Sequence, residues 1–253
     1  MNSGRICVTC GTKYPENFTG NTCIICEDDR QYVPQTGQEW TDDKNLLRHH
    51  SIKIRKIKDK LYEFIINPNF AIGQRALLIL SERGNVLWDC ISMLDEAAQT
   101  FIQQKGGLKA IIISHPHYYS NMQAWADAFN CPIYLHEKDE KWVVNKSEKI
   151  RYWQGETYQL WDGMRILKIG GHFPACSVLL VPKLSKTAAL LCGDTFSIAP
   201  SMQHIAVMYS YPNKIPLSIA EVARIKKSWN SWNSMRFTVS GAPKTLRKMP
   251  KKF

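Results

Sequence analysis

A chain of 253 residues, 44% of them hydrophobic, can bury a sizeable core as one large domain or as one domain with a small appendage. No apolar run approaches the roughly 20 residues of a membrane span, and no apolar signal region follows Met1-Asn2-Ser3-Gly4-Arg5, so the expectation is a cytosolic or nuclear protein. The formal charge of +11 is unevenly spread, with nine Lys/Arg against one acid from Glu221 to the end and a second basic stretch through Arg48, Lys53, Arg55, Lys56, Lys58 and Lys60. The tail either contacts RNA, DNA or an anionic surface, or is a solvated end.

Residues 1–40 read as a separate unit with few aliphatic side chains, unable to close a core without a staple. The spacing Cys7-x2-Cys10-x12-Cys23-x2-Cys26 suits two knuckle turns clamping one tetrahedral Zn2+ through four thiolates, a zinc ribbon. The remaining cysteines, Cys90, Cys131, Cys176 and Cys192, stand singly among apolar neighbours and read as small buried hydrophobes.

From about residue 50 strands and helices alternate. Ser51 to Ile57 and Leu61 to Ile66 form a strand pair, and Ala76 to Leu80 and Val86 to Asp89 a second, turned at Glu82-Arg83-Gly84-Asn85. Apolar residues at Met93, Leu94, Ala97, Ala98, Phe101 and Ile102 predict a helix over Ser92 to Gln104, ended by Gly106-Gly107. A buried strand, Ala110 to Ile113, runs into Ser114-His115-Pro116-His117; a helix from about Asn121 to Phe129 and a strand at Ile133 to Leu135 follow. Further strands are expected around Ile150 to Trp153, Thr157 to Leu160, Arg165 to Ile169, Ser177 to Pro182 and Ala188 to Cys192, then a helix from Leu217 to about Trp232. Two successive β-rich halves with interposed helices point to an α/β sandwich and away from a doubly wound sheet.

Three strand ends carry potential ligands: His115 and His117, His172 after Gly170-Gly171, and Asp194 after Gly193. Three imidazoles and a carboxylate with open coordination space are a zinc-site constellation. His136, also at a strand end, reads as structural, and His49, His50 and His204 do not look like ligands.

Residues 48–235 resemble the metallo-β-lactamase fold hydrolases, a four-layer αββα sandwich. The resemblance is carried by Ser114-His115-Pro116-His117, Gly170-Gly171-His172-Phe173-Pro174 and Cys192-Gly193-Asp194-Thr195, in the family's order and spacing, with Asp89 at the acidic strand end near the metals. With the zinc ribbon at 1–40, which resembles an appendage of some members, the expected organisation is that ribbon followed by a metallo-β-lactamase-like domain at 41–253 with a basic tail from about 234. The resemblance implies His115, His117 and His172 as ligands of the first metal, with Asp194 binding or bridging. Tyr119 and Ser120 stand where the family has the Asp-His pair of a second metal, and Ala242 of Ser240-Gly241-Ala242-Pro243 stands where its final histidine would. One core metal ion is therefore expected, zinc by preference, although iron or manganese also suits a His/Asp set.

A zinc ion on three imidazoles lowers the pKa of bound water to about 7, so hydrolysis through one metal is chemically open. The base role then falls to Asp194, and Tyr119, with an ordinary pKa of about 10, is expected to donate to a developing oxyanion. Of Tyr118 and Tyr119, one packs in the core and the other lines the pocket. The leading expectation is a zinc-dependent hydrolase of a small ester, thioester or lactone. The alternative is a non-catalytic binding or regulatory protein on a degenerate fold, contacting nucleic acid through ribbon and tail.

Overall fold

Both β-rich halves form sheets. The computed structural model describes residues 4–182, 184, 188–199, 204–232, 237–241 and 244–248, from residue 229 on as backbone. A short ladder of β1 (Ile6–Cys7) and β2 (Trp40–Thr41) and a helix α1 (Asp43–His49) come first. The first sheet then runs β3 (Ser51–Lys58), β4 (Leu61–Asn67), β5 (Arg75–Ile79), β6 (Val86–Trp88), β7 (Ala110–Ile112), β8 (Ile133–His136) and β9 (Ile150–Trp153), in that spatial order. It is antiparallel as far as β6 and parallel from β6 to β9. The parallel steps need crossovers, and α2 (Glu96–Gln104) and α3 (Met122–Phe129) supply the first two.

The second sheet contains β10 (Thr157–Gln159), β11 (Arg165–Lys168), β12 (Ser177–Val181) and β13 (Ala188–Leu191), all antiparallel. Two small ladders follow, β14 (Ser197–Ile198) with β15 (Ile205–Ala206) and β16 (Met208–Ser210) with β17 (Ile215–Pro216), and then helix α4 (Ile219–Trp232). The tail rejoins the sheet: β18 (Phe237–Gly241) pairs parallel to β13, and β19 (Lys244–Lys248) returns antiparallel to it. A segment open to reading as a solvated end therefore holds the outer two strands of the sheet.

Strand alternation sorts the apolar residues into layers. Leu77, Ile79, Val86, Trp88 and Ile112 face Ile166, Leu179, Val181 and Leu191 across the inter-sheet core. The alternate residues, Phe64, Leu78, Leu87, Ile111 and Ile133, pack outward against Ala98 and Ile102 of α2 and Trp125 of α3. On the far side Leu167, Val178 and Leu190 meet Ile225 of α4. The result is the four-layer αββα sandwich that the resemblance implies.

Helix starts follow their caps. Asp95 Oδ1 accepts from Ala98 N at 2.7 Å while its Oδ2 accepts from Ile52 N at 2.9 Å, so α2 begins at Glu96, later than the apolar spacing alone suggests. Asp42 likewise opens α1, a helix with no apolar periodicity to announce it, by accepting from Asn45 N at 2.8 Å.

The N-terminal segment is not a free appendage. Ile6, Tyr14 and Ile25, with the cysteines, share the apolar cluster of Phe64, Ile102 and Trp125. Gly11 permits the closest approach: its φ is +76°, and a Cβ there would lie 2.2 Å from Ser92 Oγ.

Candidate metal centre

The strand ends converge because β11 and β13 run parallel to one another, each antiparallel to β12 between them. His172, shortly after β11, and Asp194, shortly after β13, therefore leave the second sheet at one end. From the first sheet, β7 delivers His115 and a 3-10 turn, Pro116–Tyr118, that carries His117. The donor atoms of His115, His117, His172 and Asp194 all lie within 4.8 Å of one another.

The spacing fits an ion. Two donors each 2.0–2.1 Å from a tetrahedral metal lie roughly 3.3–3.4 Å apart. Here His172 Nε2 is 3.2 Å from His117 Nδ1, and His115 Nε2 is 3.4 Å from Asp194 Oδ2. His115 Nε2 is buried and makes no hydrogen bond, an orphaned polar atom that a metal ion would satisfy. Two of the three rings are oriented from behind. His172 Nδ1 lies 2.7 Å from Tyr209 O. A carbonyl only accepts, so Nδ1 carries the proton and Nε2 presents its lone pair. His115 Nδ1 is 2.8 Å from Ser114 Oγ, and Ser114 N donates to buried Asp89 Oδ1 at 2.7 Å.

The electrostatics match that donor set. Burial, aided by the neighbouring imidazoles, drives His117 well below its ordinary value and His172 down to about 4. Burial would raise Asp194, but His115, His172 and His117 hold it below the usual carboxylate range. Without metal, His115 is pushed up to about 10, because Cys176 and Asp194 outweigh its burial, so metal entry would displace a proton there.

The second cluster is made by Cys7, Cys10, Cys23 and Cys26, all buried thiols without disulfides. Sulfurs 2.3 Å from a tetrahedral ion lie roughly 3.8 Å apart, against 3.6 Å for Cys7 to Cys26 and 3.5 Å for Cys10 to Cys23. Among the described residues these two clusters are the groups of metal-ligating side chains that form.

The structure does not bring Tyr119 to the site. Its hydroxyl donates to Asp139 O at 3.3 Å on the far side of the turn. Tyr118 takes the place instead, its ring 5.1 Å from that of His115, on a cleft of about 710 Å³ that also reaches His117, His172 and Asp194. Ser120 is committed too: its Oγ accepts from Gln74 Nε2 at 3.3 Å, and its carbonyl accepts from Lys13 N at 3.0 Å. The turn that carries a second metal's ligands in the resembling family is thus bound here by the N-terminal unit. Ala242 lies outside the described residues. His136 is held by Gly155 O at 3.0 Å and by the Trp153 ring, away from the cluster.

Sequence reasoning left open the choice between Tyr118 and Tyr119, and it missed Gln74, Tyr209, Tyr211 and Arg30. Gln74 Nε2 joins the Cys10 and His117 carbonyls, and Tyr211 Oη donates to Asp194 O at 3.0 Å. None of them belongs to a motif.

Asp139 is a testable neighbour. Burial raises its carboxyl from 3.8 to about 7, so the metal-free fold keeps a proton that the unfolded chain releases between those values. Stability from this group is whole below about pH 4 and is lost as pH rises through about 7. Asp139→Asn retains an acceptor for Ala175 N, 3.2 Å away. The variant is expected to match wild type at about pH 4 and to exceed it at about pH 8 by on the order of 2–4 kcal/mol. Urea unfolding of metal-free protein across that range checks this, and an unchanged pH slope would count against it.

No family model matches the chain. The uncharacterized protein YmaE of Bacillus subtilis (strain 168) is 41% identical over 224 residues, 87% of this chain and 82% of that protein. The chain belongs to the YmaE family. Among solved structures, DIM-1 metallo-beta-lactamase superposes with a TM-score of 0.59 at 15% identity, covering 78% of this chain and 92% of that one. A metallo beta lactamase from Hirschia baltica gives 0.54 at 13% identity over 78% and 92%. At such identities the likeness is one of fold, and it matches the two-sheet architecture. No helix among the described residues is long and apolar enough to cross a membrane.

Proposed function

We propose that this protein is a metal-dependent hydrolase of a small ester, thioester or lactone, with one metal ion, zinc by preference, held by His115, His117 and His172, and with Asp194 as fourth or outer ligand. The unit over residues 1–40 is read as a zinc ribbon, its four thiolates holding a structural zinc. The observation that carries the proposal is the orphaned, buried His115 Nε2 inside a donor set of tetrahedral spacing beside an open cleft. A bound metal would supply Lewis acidity and a nucleophilic water at neutral pH.

The chain's own residues do the rest. Asp194 is about a quarter exposed, at 27%, toward that cleft, and stays ionised at neutral pH, so its carboxylate is placed to accept a proton from an attacking water. Tyr118 keeps its phenolic proton, since burial pushes it well above its ordinary value, and acts as a donor to a substrate oxygen. Val8, Phe70, Ile72 and Pro212 add apolar surface to the cleft walls.

Purified chain should contain two metal equivalents. His115→Ala is expected to retain one and to lower turnover on a panel of neutral esters, thioesters and lactones at least about 1,000-fold, the scale on which loss of key electrostatic groups acts. Hydrolysis that survives His115→Ala would sink the proposal.

A further inference from the structure

Arg30 lies four residues beyond Cys26 and 142 residues before His172, yet its Nε donates to the His172 carbonyl oxygen. The side chain is 12% exposed, and its guanidinium is clamped by Asp28, with Nη1 at 2.8 and 3.1 Å from the two carboxylate oxygens. Its Cζ lies over aromatic rings, 4.3 Å from the Tyr209 centroid and 4.7 Å from that of Phe173. Tyr209 is also the residue whose carbonyl receives His172 Nδ1. A closed circuit results: Arg30 grips the backbone of His172 and packs on the residue that orients its ring. The strap is fastened again by Ser210 Oγ, donating to Arg30 O at 3.0 Å, and by Asn213 Nδ2, donating to Asp29 O and Gln31 O at 3.0 and 2.9 Å.

We infer that Arg30 is a positioning residue for His172, through which the cysteine-clamped unit sets the geometry of the core metal site. The inference rests on the reading of His172 as a core-metal ligand. Arginine suits the task because its flat, rigid fork donates to a carboxylate and a carbonyl while stacking on rings, which an ammonium cannot do. The position of His172 Nε2 follows from two constraints, the carbonyl held by Arg30 and the ring held by Tyr209. Removing the first frees the peptide on which the ring turns. The N-terminal unit thereby becomes part of the active site, and not a separate docking module.

Arg30→Met keeps the stem between the rings and deletes the fork. In full-length protein it is expected to retain the four-cysteine metal and its far-UV circular dichroism. Its core site should bind Co2+ about 10- to 100-fold more weakly, as outer partners of metal-bound histidines do when lost, and the cobalt absorption bands should move. Asp28→Ala, which leaves Arg30 but releases its clamp, should show the same change at smaller amplitude and covers the case in which Arg30→Met does not fold. In protein that holds only the cysteine-bound metal, labelled with 15N-histidine, either variant should shift the His172 ring signals and leave those of His136 in place. A folded variant with wild-type cobalt affinity, wild-type spectrum and unmoved His172 signals overturns the inference. Wild type that takes up only the cysteine-bound metal instead overturns the core-metal reading, and the His172 ring signals then decide the role of Arg30 by themselves.

Discussion

Cys10→Ala is expected to strip both metals from the chain, not one. The first loss is direct, since Cys10 Sγ is one of four sulfurs converging in the N-terminal cluster. Structural zinc binding is worth roughly 10–16 kcal/mol in isolated peptides. Part of the unit's order here comes instead from packing Ile6, Tyr14 and Ile25 against the main core. A net loss of about 3 kcal/mol or more is therefore expected, a fall in Tm of roughly 6–12 °C for a domain of this size. The second loss is indirect. Gln74 ties the Cys10 carbonyl to the His117 carbonyl, Lys13 N holds the Ser120 carbonyl, and Arg30 holds that of His172. Once the knuckle melts, all three restraints on the histidine turns go with it. Elemental analysis together with a melting curve checks the expectation. A variant that keeps its core metal at wild-type affinity would show the two sites to be independent.

The sandwich was legible because its signals are local. β7 is a short apolar run buried on both faces, the mark of a central parallel strand, and the ligand turn follows it directly. Charge hid one end of the second sheet, where the basic tail forms β18 and β19, but not the first strand of the first sheet, whose pairing was legible. Lys53, Arg55 and Lys56 fall on β3, the outer strand of the first sheet, and Lys244, Arg247 and Lys248 on β19, the outer strand of the second. Lysine-rich edge strands resist pairing with other chains. Edge protection gives those six residues a structural role.

The choice between Tyr118 and Tyr119 was not legible, and the reason is geometric. A 3-10 turn eclipses residues three apart, and Tyr118 N donates to His115 O at 3.0 Å. The eclipse sets Tyr118 over His115 and turns Tyr119 away from the cleft. No residue pattern announces one turn of 3-10 helix in advance. Arg30 was hidden for a different cause: its partner is 142 residues away, and a contact that distant leaves no periodicity.

Gly193→Ala should be the most damaging small substitution near the core site. Gly193 has a φ of +50°, and a Cβ there would lie 2.5 Å from Ser114 Oγ and 2.9 Å from Ser114 Cβ. Both contacts fall on the residue that supports His115, and the shift would be passed to Asp194, the next residue along. Two costs combine: about 1–2 kcal/mol for an L-residue in the left-handed region and about 1–3 kcal/mol for overpacking. Gly107 separates them. Its φ is +73° with nothing within 4 Å of an added Cβ, so Gly107→Ala should carry the conformational cost alone and leave the core metal bound. Urea unfolding is expected to place Gly193→Ala at about 2–5 kcal/mol below wild type and Gly107→Ala at about 1–2 kcal/mol. Metal analysis should find the core equivalent missing from the first variant only. Equal losses in the two variants, with both metals retained, would mean that Ser114 yields without disturbing His115, and the support of the site would then have to lie in Asp89 and the strand beneath it.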